Sequence, residues 1–273
     1  LGVSLASAEA PYPPSPVIAD IALDWSTHQR HALGSDNWQL TWADDDHQYG
    51  AWGDGGGFGG SNRDGRVGLG YGRIEGDWDN YRGFDVWGGK NAENPARFSG
   101  KSWGTIAIGR VLYSWVIPDE PDTGVPRDHY RYIQLARSTD HAAHWTRANE
   151  GSQRRTSPGI SPWRWWREDN LIIPMFLVYG KDNAGVMSLF DAPEPWGPWT
   201  TVKYWTPNDR FGHSRPGSQL DWADNVFFFS FAPKWLSSDG RGFTLVFTGG
   251  GNGKNNDSLN TVRGTFRLRK ASK

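Results

Sequence analysis

The stretch Gly34-Ser35-Asp36-Asn37-Trp38-Gln39-Leu40-Thr41-Trp42-Ala43-Asp44-Asp45-Asp46-His47-Gln48-Tyr49-Gly50-Ala51-Trp52-Gly53-Asp54-Gly55 decides the fold. Trp38, Leu40 and Trp42 alternate with Gln39, Thr41 and Ala43, the two-residue period of a strand. Asp44-Asp45-Asp46 is a tight polar turn, and Gln48 to Trp52 reads as the return strand. A glycine run follows that holds no regular structure. An Asp stands at each end of this hairpin, Asp36 and Asp54, so both reach the same edge of the sheet.

The hairpin recurs. Lys101–Ile108, turn Gly109-Arg110 and Val111–Val116 form a second. A third runs from about Ser157 through Trp166, turns at Arg167–Asn170 and returns as Leu171–Tyr179. A fourth reads as Asn225–Leu236, turn Ser237–Gly240 and Phe243–Thr248. The starts fall near residues 36, 101, 157 and 224. A further strand pair follows each hairpin, and repeats of this length with four short strands mark a β-propeller. The last repeat ends after Thr261–Arg269 and lacks its outermost strand, which Val17–Trp25 can supply to close the ring. The expected fold is all-β: one propeller of four-stranded antiparallel blades, four by count.

Composition agrees. The chain has 273 residues with 35 Gly, 17 Pro and 17 Trp, many turns and many flat side chains for one large all-β domain. Its 29 basic residues against 30 acidic exclude a nucleic-acid footprint. There is no Cys, hence no disulfide or thiolate chemistry. Ala6-Ser7-Ala8 follows an apolar run as in a signal-peptide cleavage site, so export to the periplasm or the medium is expected. Residues 1–16 then read as a signal-peptide remnant and Pro-rich linker, and 17–273 as the propeller domain. No other apolar run reaches membrane-spanning length. No membrane partner is expected, and the chain is expected to act as a monomer.

Loop lengths sort by face. Links between the paired strands of each hairpin are short. Gly53–Arg66, Ile117–Asp128, Gly249–Asn260 and the inter-blade links Gly88–Gly100 and Thr206–Asp224 are long, and in an up-and-down blade they share one face. Function concentrates on such loops.

Several segments carry a resemblance. Gly34–Trp38, Thr41–Asp45, Trp52–Gly55, Ser102-Trp103-Gly104, Phe190–Val202 and Phe231–Gly240 resemble a group of secreted bacterial propeller domains, some of whose members are endo-D-arabinanases. The likeness covers most of residues 17–268. The first hairpin is also similar to the five-bladed arabinanase and xylosidase propellers, which makes five blades the alternative to four. In those enzymes an Asp opening the first innermost strand is the general base, a role the resemblance implies for Asp36. They also place acidic residues at later inner strands, where this chain has Lys101-Ser102. Ser138-Thr139-Asp140-His141-Ala142-Ala143-His144-Trp145 resembles the Asp-box of sialidase-type propellers, a structural turn, with Ala142 where Gly is usual.

Glycoside hydrolysis requires two carboxyl groups roughly 5 to 9 Å apart. Asp36 and Asp54 are the best pair, with Asp182, Asp224 and Asp257 as further acids. Asn37, Trp38, Lys101, Arg127, His129, Arg215, Trp222 and Lys254 are candidate substrate contacts around them. Lys101, opening the second inner strand, calls for an anionic partner, and Asp36 is the expected one. Lys101, Arg127, Arg215 and Lys254 would make the mouth attractive to a uronate and hold Asp36 ionised.

A second chemistry is polysaccharide elimination, with His213 or His129 as base and Arg215 neutralising a uronate. A third reading is a non-catalytic glycan-binding propeller, which the dissimilar mouth loops disfavour. Trp38, Trp42, Trp52, Trp103 and Trp115 alternate along strands as inter-blade core. No metal spacing of His and Cys is present, and no cofactor is expected. Asp44–Asp46 could hold a structural calcium ion, but their spacing matches no calcium loop and they read as turn-formers. The expected partner is a polysaccharide or oligosaccharide.

Overall fold

In the computed structural model, residues 10–118, 134–147, 165–167, 170–179, 184–194, 196–205, 226–249 and 257–270 are described. They form four four-stranded antiparallel sheets. Among them the helical content is one 3-10 turn, Pro233–Trp235, and no helix is long and apolar enough to cross a membrane.

The first strand, β1 (Ile18–His31), is set aside for the last sheet. The first sheet is β2 (Asp36–Trp42), β3 (Gln48–Gly53), β4 (Gly70–Glu75) and β5 (Arg82–Trp87). The second is β6 (Gly100–Ile108), β7 (Val111–Pro118), β8 (Gln134–Ser138) and β9 (Thr146–Arg147). The third is β10 (Trp165–Arg167), β11 (Asn170–Tyr179), β12 (Ala184–Ala192) and β13 (Thr200–Tyr204). The fourth is β14 (Val226–Phe231), β15 (Gly242–Gly249), β16 (Leu259–Leu268) and then β1, which pairs antiparallel with β16 from Ile18↔Leu268 to His31↔Leu259. The chain's first strand therefore covers the edge that its last strand would leave open.

Two hairpin boundaries differ from expectation. Arg167 and Asn170 pair with each other, so the third turn is tighter than Arg167–Asn170. In the fourth hairpin the strand ends at Phe231 rather than Leu236. Pro233 has no N–H for a ladder, and Ala232–Trp235 turns into the 3-10 segment instead.

The inner strands of sheets one, two and four share a device. Each has a register shift near its start: Asp36/Gln39 in β2, Ser102/Gly104 in β6 and Phe227/Ser230 in β14. A residue with positive φ sits at each shift, Asn37 at 63°, Gly104 at 146° and Phe228 at 52°. Such bulges bend a strand and re-aim the side chains beside them.

Packing orders the sheets. Sheet one shares one buried cluster with sheet four, including Trp38, Leu40, Trp52, Ala232, Trp235 and Val246. It shares another with sheet two, including Tyr49, Tyr71, Trp87, Leu112, Val116 and Ala142. Sheet four meets sheet three through Phe229, Phe243, Phe266, Leu189 and Val202. Of the Trp residues expected in this core, Trp38 and Trp52 are fully buried, whereas Trp42 and Trp115 are 49% and 43% exposed. Trp42 sits at the far end of its strand, where its indole N–H donates to Asp46 (3.0 Å). Trp115 belongs to sheet two, which shares a buried cluster with sheet one but, among the described residues, with no other sheet.

The Pro-rich segment is docked. Thr201 N–H donates to Pro13 O (2.7 Å) and Ser15 N–H to Thr201 O (2.8 Å). The Ser15 hydroxyl donates to Asp191 (2.7 Å), and the Tyr12 ring stands edge-on to Phe190.

Candidate active site

Asp36 opens β2 and pairs in register with Gly53 of β3, the residue before Asp54. Its Oδ1 lies 2.8 Å from where a Cβ on Gly53 would stand, so a side chain at 53 would displace the carboxyl. That oxygen is buried and has no hydrogen-bond partner among the described residues. Burial pushes the Asp36 carboxyl up from 3.8 to about 7. Lys101 opposes this, while Asp257 and Asp54 add to it. The expectation that cations hold Asp36 ionised is thus reversed, because desolvation outweighs the attraction of Lys101.

Asp54 lies one residue beyond β3 in the left-handed region, at φ 52°, a conformation that Asp tolerates better than most residues. Lys101 Nζ contacts its Oδ1 at 2.5 Å and Arg66 Nη2 at 3.5 Å. Lys101 Nζ also donates to Gly68 O (3.3 Å). The ion-pair partner of Lys101 is therefore Asp54 and not Asp36. The bulged start of β2 gives Asp36 a neighbouring charge instead of a salt bridge. Arg66 closes the 53–66 loop, donating to Asp54 O and to Asn62 Oδ1.

Asp257, before β16, is the third carboxylate. Its carbonyl accepts the Gly34 N–H (2.7 Å), which fixes it beside the entry to β2. Burial raises its carboxyl as well, and Asp54 raises it further. Sheets one, two and four thus send Asp36, Asp54, Lys101 and Asp257 to one place. Among the described residues, both cations there, Lys101 and Arg66, are ion-paired with Asp54.

Two candidate contacts are placed elsewhere. Trp38 is fully buried, stacks on Trp52 (5.5 Å) and donates its indole N–H to Ser35 O (3.0 Å), so it is core and not a platform for sugar. Asn37 is also buried. Its N–H donates to Thr248 Oγ1 (3.1 Å) of β15 and its side-chain amide to Ser102 O of β6, which ties β2 to sheets four and two. Asp182, Asp224, His213, Arg127, His129, Arg215, Trp222 and Lys254 lie outside the described residues.

Sequence reading missed Arg66 and Asp85. Arg66 is one arginine in a polar loop, and nothing in the local pattern shows that the loop folds back on Asp54. Asp85 sits in β5 and reads as an ordinary outward strand residue.

At the opposite end of the hairpin, Asp44, Asp45 and His141 bring three ligand atoms within 4.8 Å of one another. They are engaged by protein groups: Asp44 by His141 (2.8 Å) and Arg110 (3.3 Å), Asp45 by the Tyr49 hydroxyl (2.6 Å). His141 belongs to the Asp-box turn, where Asp140 accepts the Ser138 hydroxyl and the His144 N–H, both at 2.9 Å.

No protein-family model matches the chain, and no curated protein sequence matches it. Solved structures similar to it include a thermostable family-43 glycoside hydrolase, 11% identical over 94% of this chain and 92% of that one (TM-score 0.40). The catalytic domain of the Coprinopsis cinerea GH62 alpha-L-arabinofuranosidase is 10% identical over 84% and 72% (TM-score 0.36). The Trypanosoma rangeli sialidase in complex with the inhibitor DANA is 10% identical over 85% and 55% (TM-score 0.38).

Proposed function

We propose that the four sheets are blades of one propeller, closed through β1, and that the chain is a secreted glycoside hydrolase cleaving a polysaccharide or oligosaccharide at the mouth. The observation that carries this reading is the Asp36 carboxyl. It is buried, has an unpartnered oxygen and is raised to about 7, beside an Asp54 that is ion-paired to Lys101 and Arg66. Two carboxyl groups with environments that differ this way can divide acid and base work between them.

Asp36 carries a proton below about pH 7 and is the donor to the leaving-group oxygen. Asp54 faces the developing positive charge at the anomeric carbon, as nucleophile or as the base that activates water. This exchanges the role that the family resemblance implies for Asp36. The physical reason is burial: a carboxyl at about 7 is a better acid at neutral pH than one that is always ionised. Lys101 and Arg66 hold Asp54 in place. Asp257 adds to the burial that favours the protonated form of Asp36.

The test is a glycan panel read for new reducing ends and for ultraviolet absorbance together. Reducing ends without absorbance are expected. Absorbance from an unsaturated uronate would replace the hydrolase by a lyase built on His213, His129 and Arg215. Binding without either product would leave a glycan-binding propeller.

A further inference from the structure

Asp85 is half-buried in β5 and touches none of the residues assigned above. Its two carboxylate oxygens nevertheless serve two different loops. Oδ1 accepts the Phe58 N–H (2.7 Å) from the 53–66 loop. Oδ2 accepts the Lys90 N–H (3.3 Å) from the 88–100 loop. The residue before each donor is a glycine with positive φ, Gly57 at 65° and Gly89 at 64°. A Cβ on Gly57 would overlap Oδ1, and a Cβ on Gly89 would overlap Oδ2. The two loops therefore present the same feature to one carboxylate: a left-handed glycine that lets backbone approach, then an N–H that binds.

The 53–66 loop carries Asp54 at its start and Arg66 at its end. It is also held from the other side, where Gly57 N–H donates to the Ser35 hydroxyl (2.8 Å), next to Asp36. The loop is thus pinned between the entry to β2 and Asp85. The exposed Lys90–Asp64 ion pair (2.7 Å) joins the same two loops, and pairs of that kind contribute little.

We propose that Asp85 is a positioning residue: it latches the 53–66 loop to the 88–100 loop and so fixes where Asp54 stands relative to Asp36 and Lys101. It acts through the loop and touches no reacting atom. The inference uses the hydrolase reading only for what Asp54 does once it is placed. Burial raises the Asp85 carboxyl to about 6, so at pH 7.5 it is charged and accepts from both loops.

The test is Asp85→Asn in the full chain at pH 7.5. An amide has one acceptor oxygen, so its NH2 must face one of the two backbone N–H groups and release that loop. Three readouts are taken: hydrogen exchange at the Phe58 and Lys90 amides, the titration of the Asp36 carboxyl by NMR, and turnover on whichever glycan of the panel is cleaved. We expect faster exchange at one or both amides, a displaced Asp36 titration, and turnover lower by about 10- to 100-fold, with cooperative unfolding retained. Gly89→Ala, on the loop that carries no site residue, sets a Cβ against both Oδ2 and the Gly56 carbonyl of the 53–66 loop, so it should part the same two loops and reproduce all three, and it is the variant to rely on where Asp85→Asn does not fold. Unchanged amide protection would overturn the latch. Faster exchange with an unmoved Asp36 titration and wild-type turnover would overturn the positioning role. If the wild type cleaves no glycan, the hydrolase reading fails alone, and exchange and titration still decide the latch.

Discussion

The first hairpin carries Asp residues at both ends, and the structure treats them in opposite ways. At the end where β2 begins, the proposed mouth, burial raises Asp36 to about 7, and one of its oxygens has no partner among the described residues. At the far end, Asp44 is held below its ordinary value by His141, and Asp46 by Lys234. The far-end carboxylates join sheets. Asp44 bonds Arg110 and His141 of sheet two, and Lys234 of sheet four reaches Asp46 at 3.0 Å. Residue type is the same at both ends, so environment makes the difference. One end spends its carboxylates on holding neighbouring sheets together, and the other keeps one free of partners at a cost in stability. A carboxyl held away from its preferred state is what the acid role proposed for Asp36 requires.

The strongest way to break this comparison is Asp36→Asn. With Asp36 as proton donor, turnover on a polysaccharide should fall by roughly 10²- to 10⁴-fold. On an aryl glycoside whose leaving group needs no protonation, the loss should be far smaller. Equal losses on both substrates would return Asp36 to the base or nucleophile role, and wild-type turnover would remove it from the chemistry. The same variant should be more stable than wild type at alkaline pH. A carboxyl raised above its unfolded value favours the folded state fully only below that value, and the benefit disappears as pH rises toward about 7. At about 1.4 kcal/mol per pH unit, the gain from Asn is on the order of 2 to 4 kcal/mol at pH 8.

The two ends also differ in how far sequence could reach them. The hairpin itself was plain, because alternation and an Asp-rich turn are local signals. Asp36, Asp54 and Asp257 could be named because strand ends and long loops map to faces before any contact is known. Which carboxylate Lys101 would pair with was not legible. That depends on the register shift between Asp36 and Gln39, and a bulge leaves no mark in a binary pattern. Trp38 drew two readings, a sugar contact from its place at a strand start and core from its alternation with Leu40 and Trp42, and the alternation was the better guide. Asp85 was invisible for a different reason. Its partners are backbone N–H groups on two distant loops, and only the paired left-handed glycines betray them.

Lys101→Met sharpens the comparison by removing a cation from the mouth alone. Lys101 lowers both Asp36 and Asp257, so its loss should move the Asp36-dependent limb of the pH–rate profile to higher pH. Its side chain and that of Asp54 are partly exposed, so the stability change should be only about 1 kcal/mol. Turnover should fall by about 10-fold as Asp54 loses its closest partner. A profile with an unmoved limb would mean that Lys101 does not act on Asp36.

The smallest expected effect is at the far end, and it carries the sign that the mouth reverses. Asp44→Asn should leave turnover unchanged, since its side-chain partners among the described residues, Arg110 and His141, lie at the opposite end of the hairpin from Asp36. A carboxyl held below its unfolded value of 3.8 stabilises the fold above that pH and loses the contribution as pH falls through its folded value. The melting temperature of Asp44→Asn should therefore lie slightly below wild type at neutral pH and converge on it in acid. Asp36→Asn should do the reverse, matching wild type in acid and exceeding it as pH rises. Salt should shrink the Asp44 difference, because that carboxylate is exposed and screened, and should leave the Asp36 difference largely intact. Melting curves of the two variants from pH 3 to 8 thus separate two carboxylates of one hairpin by slope. Parallel slopes would show that the two ends of the hairpin are not electrostatically distinct.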